Sequence, residues 1–226
     1  HTLPNLDYKI MQGNSLIEEF HGISLDVKKK PGHQFEISSD GNQFDSLIED
    51  LQHKQAEFFN AEHPKEKKKK RKSLEDAIFN IFHHELEKKK TISSIESKEI
   101  EDDLREITLG NRVRNFFPWK LYFADVFRQN GGFDIVIGNP PYIKEYTDKR
   151  AFDGLRNSPY YQGKMDLWYL FACLSIDFCR GNGALIFIAT NNWVTNFGAS
   201  KLRNKVINDT QFLQLIDFSN YKIFEA

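Results

Sequence analysis

Asn139-Pro140-Pro141-Tyr142 is the stretch of this 226-residue chain whose residue types could do chemistry. The Asn139 side-chain carbonyl and the Pro140 backbone carbonyl are two hydrogen-bond acceptors, and Tyr142 sets an aromatic face beside them. Neither proline offers an N–H, and each drives the residue before it toward extended geometry. The loop is therefore stiff and cannot pair with a neighbour. It suits an amino group on a flat ring. Two acceptors on one exocyclic NH₂ orient its lone pair toward an electrophile, the chemistry of N-methylation at adenine N6. The same four residues are also an ordinary strand-ending turn, and on their own they leave both readings open.

The elements around the loop must position it. Residues 133–137, Phe-Asp-Ile-Val-Ile between glycines, read as a short strand buried on both faces of a parallel sheet. The loop then falls at the carboxyl end of a strand, where open α/β sheets place their ligands. Residues 6–12 read as an earlier strand stopping at Gly13-Asn14-Ser15, where Asn14 either presents an amide at the sheet edge or closes a turn. Residues 31–41 read as a loop.

From about residue 43 to 109 the composition changes. Phe44, Leu47, Ile48, Leu51, Gln55 and Phe58 recur at helical spacing, as do Leu74, Ile78, Ile81, Phe82 and Leu86. Ile95, Glu99, Ile100, Leu104 and Ile107 make a third helix. Three amphipathic helices predict a hairpin or small bundle inserted in the α/β chain. Between the first two runs Pro64-Lys65-Glu66-Lys67-Lys68-Lys69-Lys70-Arg71-Lys72, either a surface that steers DNA phosphates or a solvated helix end. His83 and His84 are adjacent and cannot share a helical face as ligands do.

Residues 112–127 are aromatic-rich and non-periodic, and predict an extended segment against the sheet with its rings in the core. Beyond the loop, residues 165–179 predict a helix capped by Asp166, and Asn182-Gly183 a turn. Residues 184–189 predict a second buried strand, ending at Thr190-Asn191-Asn192-Trp193. A short basic helix over 198–206 carries Lys201, Arg203 and Lys205, and 212–218 predict a third strand. Strand and helix alternating in this way is the α/β pattern.

Composition adds bounds. With 31 basic against 32 acidic residues there is no global nucleic-acid signature, so any DNA contact rests on local patches. Cys173 and Cys179 fall on different helical faces, which argues against a disulfide or metal pair and for a reducing, cytoplasmic compartment. No apolar run approaches about 18 residues, so no membrane span is expected. The start at His1 and the unfinished last segment read as a fragment of something longer.

Four segments agree in order with one family. The loop segment Gly-Gly-Phe-Asp-Ile-Val-Ile-Gly-Asn-Pro-Pro-Tyr, approached through Phe-Pro-Trp-x-Leu-x-Phe-x-x-Val-Phe, is followed by Asp-Leu-Trp-Tyr-x-Phe, Gly-x-Leu-x-Phe-Ile-x-x-Asn-x-Trp and Ile-Asp-Phe-x-x-Tyr-Lys-x-Phe-Glu. Over about residues 3–20 and 112–226 the chain resembles adenine-N6 DNA methyltransferases of the gamma motif order, particularly those of type IIG restriction-modification enzymes.

The resemblance implies a partial S-adenosylmethionine-dependent, Rossmann-like α/β sheet. It divides the chain into a strand and loop (1–42), a helical insertion (43–109) and the catalytic part (110–226). It makes Asn139, Pro140, Pro141 and Tyr142 the target-base loop, with Tyr142 and Phe224 on the two faces of a flipped adenine in double-stranded DNA. Asn14 stands where the family has an acidic residue on the adenine ring of S-adenosylmethionine, and Asn139 also lies at that cofactor. The glycine-rich loop and ribose-binding acid of the family are missing, so the fragment alone is expected to be inactive. A target-recognition domain and an endonuclease domain are expected in the same bacterial, cytoplasmic polypeptide. A glutamine or RNA amino-methyltransferase is the alternative, and a non-catalytic scaffold segment the second.

Overall fold

The computed structural model describes residues 10–23, 25, 39–89, 94–108, 112–113, 115–219 and 221. They form two compact units that divide at Gly131–Gly132.

The first unit is helical. Helices α1 (Ser39–Asn60), α2 (Pro64–Lys88) and α3 (Ser94–Thr108) follow the predicted apolar periodicities, and α1 packs on α2 as a hairpin. Pro64 opens α2 at a position where its missing N–H costs nothing. Ile48, Leu51, Phe58, Leu74, Ile81 and Phe82 are sealed in the core. That core also takes in Phe20, Ile23 and Leu25 from before the helices and Phe116, Phe117, Leu121, Tyr122 and Ala124 from after them. The buried Gln55 amide donates to the Tyr122 carbonyl at 3.1 Å, so a polar residue inside the hairpin is satisfied by backbone.

Two expectations change here. The aromatics of 112–127 are core as expected, but they are not extended, and their partners are the helices. They fold into the short helix α4 (Trp119–Tyr122) and a π-helical turn (Val126–Asn130), because the apolar groove they fill belongs to the helices. The early strand is not seen: residues 6–9 lie outside the described residues, and 10–12 pair with nothing in a sheet. Residues 31–38 of the expected loop also lie outside, and 39–41 already belong to α1.

The second unit holds the α/β element. Strand β1 (Phe133–Gly138) is followed by helix α5 (Leu167–Phe178) and strand β2 (Cys179–Phe187), which pairs with β1 in parallel. Gly132, at φ 145, makes the entry to β1 possible, since a Cβ there would meet the Phe178 carbonyl at 2.5 Å. Phe133 pairs with Cys179 but Ile135 with Ala184, so Arg180-Gly181-Asn182-Gly183 forms an extended bulge. Asn182-Gly183, expected to be a turn, thus sits inside the strand. Arg180 closes the bulge onto Asp134 at 2.7 Å.

Burial of the sheet is one-sided, contrary to the expectation of a strand covered on both faces. Val136 and Leu185 are half-buried on one face, whereas Ile135, Ile137 and Ile186 on the other are 59%, 74% and 55% exposed. Among the described residues of this unit α5 supplies the only long apolar helix, and one helix covers one face. The third expected strand is also not formed. Residues 211–218 are exposed and have no ladder partner among the described residues, held at Trp193, on which Phe212 stacks at 6.1 Å, and at Asp217, which Asn191 reaches at 3.4 Å. The basic helix exists as α6 (Ser200–Asp209).

Candidate active site at the carboxyl ends of the paired strands

Because β1 and β2 are parallel, both end at the same edge, and two Asn-bearing segments emerge there together. β1 runs out into residues 139–143 and β2 into 188–192. The Ile188 N–H donates to the Gly138 carbonyl at 3.3 Å, which carries the ladder one residue past β2. Beyond that bond the prolines end any pairing.

The loop is then fastened at its far side. Lys144 and Asp166 form an isolated antiparallel bridge, with the Leu167 N–H on the Ile143 carbonyl at 2.8 Å and the Glu145 N–H on the Met165 carbonyl at 2.9 Å. Glu145 also accepts from the Lys164 N–H at 2.7 Å and from the Tyr161 hydroxyl, which ties down the return of the polar segment. Lys201 of α6 donates to the Pro159 and Tyr161 carbonyls at 2.6 and 2.7 Å. The loop is thus clamped between the strand ends and the start of α5.

Within it, Pro140 is buried, while Asn139, Pro141 and Tyr142 are exposed, Tyr142 at 40%. The Tyr142 hydroxyl lies 2.9 Å from Oδ1 of Asn139 and 2.6 Å from the Ile188 carbonyl, so the aromatic ring is fixed at its polar tip with much of its surface open. The Pro140 carbonyl has no hydrogen-bond partner among the described residues. Burial, with the Asp166 charge nearby, raises the Tyr142 pKa, so the phenol stays a neutral donor.

Asp166 is the residue that sequence reasoning cast only as a cap. It does sit at the N-cap of α5 with extended backbone, but its side chain makes no capping bond. It is 2% exposed, and its Oδ1 has no hydrogen-bond partner among the described residues. Burial raises its pKa, against the backbone N–H groups of Trp168, Ile143 and Leu167 and the Lys144 charge that favour the carboxylate. The second feature missed is the tie between α5 and the end of β2: Trp168 Nε1 reaches Thr190 Oγ1 at 3.3 Å, and Thr190 donates to Asn192 at 2.9 Å. The repeat of a strand ending in Asn, at Asn139 and again at Asn191-Asn192, was the available signal.

Asn14 lies in the helical unit, where its Oδ1 accepts from the Leu16 N–H at 3.1 Å and its backbone carbonyl from Ile17 at 3.2 Å. It closes its own turn, with one side-chain lone pair left for a ligand. Phe224 lies outside the described residues. For S-adenosylmethionine the described residues therefore supply single acceptors at Asn14 and Asn139, with no glycine turn at a strand end. Asn139 has a second acceptor beside it in the Pro140 carbonyl, and Asn14 stands alone in the other unit. Cys173 and Cys179 are both free, and Cys173, buried, has its thiol pushed up to about 12. Among the described residues no helix is long and apolar enough to cross a membrane.

Known proteins supply the context of this loop. The Eco57I restriction-modification methylase family matches residues 28–224, most of the chain. Over 99 residues the chain is 32% identical to the type II methyltransferase M.HincII of Haemophilus influenzae, covering 42% of this chain and 20% of that protein. RM.MjaORFECS2P of Methanocaldococcus jannaschii, described as a candidate type II restriction enzyme and methyltransferase, is 25% identical over 264 residues, 95% of this chain and 21% of its own. The chain spans about one fifth of the length of these relatives. No solved structure matches it. On the match across residues 28–224, the chain belongs to the Eco57I restriction-modification methylase family.

Proposed function

We propose that the chain is the catalytic part of a DNA methyltransferase that transfers a methyl group from S-adenosylmethionine to adenine N6, as the modification activity of a restriction-modification protein. The observation that carries the reading is the loop itself. Asn139 and the unpartnered Pro140 carbonyl stand beside the open ring of Tyr142 at the carboxyl end of a parallel strand. S-adenosylmethionine, when bound, supplies an electrophilic methyl group. The residues of the chain act on the other reactant. Asn139 and Pro140 accept from the two amino hydrogens and orient the nitrogen lone pair, and Tyr142 and Phe224 hold the extruded base between π-faces. Asn14 is the acceptor proposed for the cofactor.

Double-stranded DNA with a flipped adenine is the proposed substrate, with a target-recognition domain and an endonuclease domain as proposed companions in one polypeptide. The test is methyl transfer by the complete protein to duplex DNA, tRNA and release-factor substrates, followed by digestion and identification of the methylated product. N6-methyladenine from the duplex is expected. Methylglutamine, methylated tRNA or N4-methylcytosine as the product would replace this reading with another amino-methylation, and no product from any of them would favour a scaffold.

A further inference from the structure

The basic run at the start of α2 is not uniform once it is wound into a helix. Two of its cations turn toward α1, and a third is paired within α2 itself. Lys70 pairs with Glu57 of α1 at 2.6 Å, Lys67 lies 5.7 Å over the Phe58 ring, and Arg71 pairs with Glu75 at 3.1 Å. The other four, Lys65, Lys68, Lys69 and Lys72, stand at i, i+3, i+4 and i+7, which places them on one face. All four are exposed, and none has a hydrogen-bond or ion-pair partner among the described residues. The stripe spans about 10 Å along the axis, and ends one turn on at Asp76.

Nothing in helix energetics favours this arrangement. Lysines in the first turns oppose the positive end of the helix dipole, and like charges at i, i+3 and i, i+4 repel. A sequence that accepts such local costs on a face left exposed among the described residues is using the face for something else. A row of hydrated ammonium groups at helical spacing matches a row of phosphates, and carries no fork geometry for reading base edges.

We propose that this face of α2 is a docking surface for the sugar-phosphate backbone of duplex DNA, sequence-independent and additional to the base-holding loop. The proposal rests on the DNA-methyltransferase reading for its choice of polyanion. Its energetic contribution comes from counterion release by four cations.

The test measures binding of a fluorescein-labelled 30-base-pair duplex by the chain between 50 and 200 mM salt. The variant K65Q/K68Q/K69Q/K72Q is compared with wild type and with the Lys→Arg variant at the same four positions. The slope of log affinity against log salt should fall by about 3–4 in the Gln variant, so that wild type loses about a hundredfold more affinity over that range. The Arg variant should keep the wild-type slope. Melting temperature should be unchanged or raised by Gln, because the removed charges repel one another. Equal slopes for wild type and the Gln variant would overturn the proposal, as would no duplex binding at 50 mM. Tighter lysine-dependent binding to phosphatidylserine vesicles than to duplex would overturn it in favour of a lipid surface. Methyl transfer by the complete protein is read separately, so a methylase with a salt-insensitive stripe sinks only the stripe, and a lysine-dependent DNA binder without methylase activity sinks only the enzymatic reading.

Discussion

The hydroxyl of Tyr142 stands between two carbonyl oxygens, 2.9 Å from Asn139 Oδ1 and 2.6 Å from the Ile188 backbone. A phenol has one proton to give, and the shorter contact has the better claim to it. The phenol oxygen then faces Asn139 with lone pairs. Half a turn of the Asn139 amide about its last torsion puts an N–H there and frees the amide oxygen for a target amino group. In that arrangement β2, through Ile188, orients the acceptor on β1.

Tyr142→Phe tests this relay. It keeps the ring for stacking and removes one hydrogen bond of about 0.5–1.5 kcal/mol. Methyl transfer by the complete protein should slow by roughly threefold to tenfold, with DNA affinity unchanged. A faster enzyme would mean that the hydroxyl competes for Asn139 instead of orienting it.

Asp166 makes a pH-dependent prediction. Its folded pKa is raised by burial, so the fold prefers the protonated acid and tolerates the carboxylate at a cost. Asp166→Asn should therefore raise the melting temperature at pH 7. The gain is complete above the raised folded pKa and vanishes as pH falls below the unfolded value of about 3.9, where wild type is neutral too. Asn keeps a buried polar group in the same place, so the substitution relieves only the penalty on the charge, and each kcal/mol relieved moves the melting point of a chain this size by about 2–4 °C. A destabilised Asn variant at pH 7 would show that the charge is needed where it lies.

How far the sequence carried depends on the element. The β1–loop–α5–β2 order and the three helices were legible, because period and punctuation fix them locally. The Asn139 loop was legible as acceptors, but its tether to Ile188 was not, since a backbone carbonyl has no signature in sequence. Residues 212–218 show the limit from the other side. Their apolar run reads as a strand, yet a strand forms only against a partner edge, and Leu213, 83% exposed, has none among the described residues. The same reasoning explains Ile135 and Ile137, whose apolar character records a covering layer that α5 does not provide. Residues 112–127 misled because aromatic density signals burial without saying against what.

Gly198 and Gly181 form a matched pair for testing the clamp around the loop. A Cβ on Gly198 would lie 2.1 Å from the Lys164 carbonyl oxygen, backbone against backbone, whereas one on Gly181 meets nothing within 4 Å. Gly198→Ala should push the polar segment off α6, with a loss of about 1–3 kcal/mol by overpacking. Gly181→Ala should leave the melting temperature within about 2 °C of wild type. Equal melting temperatures for the two variants would mean that the segment 144–164 is not held where the structure places it.

Asn139→Ala in the complete protein separates chemistry from base holding. The substitution removes a side-chain acceptor and leaves the Pro140 carbonyl. A hydrogen bond that strengthens as the amino nitrogen gains positive charge is felt in the transition state, and its loss should cost about 2.7–4 kcal/mol, a hundred- to thousandfold in rate. Tyr142→Ala acts on a different step. Stacking on an extruded base contributes about 1–3 kcal/mol, so its loss weakens the productive complex and is partly rescued where the adenine is mispaired and cheap to extrude. Single-turnover rates on paired and mispaired duplexes should therefore diverge: Asn139→Ala slow on both, Tyr142→Ala recovering on the mismatch. Equal defects on both substrates for both variants would remove this division of labour. An Asn139→Ala enzyme with normal turnover would remove Asn139 from the chemistry and leave the Pro140 carbonyl as the loop's one proposed acceptor, since no other side chain of 139–143 carries a carbonyl.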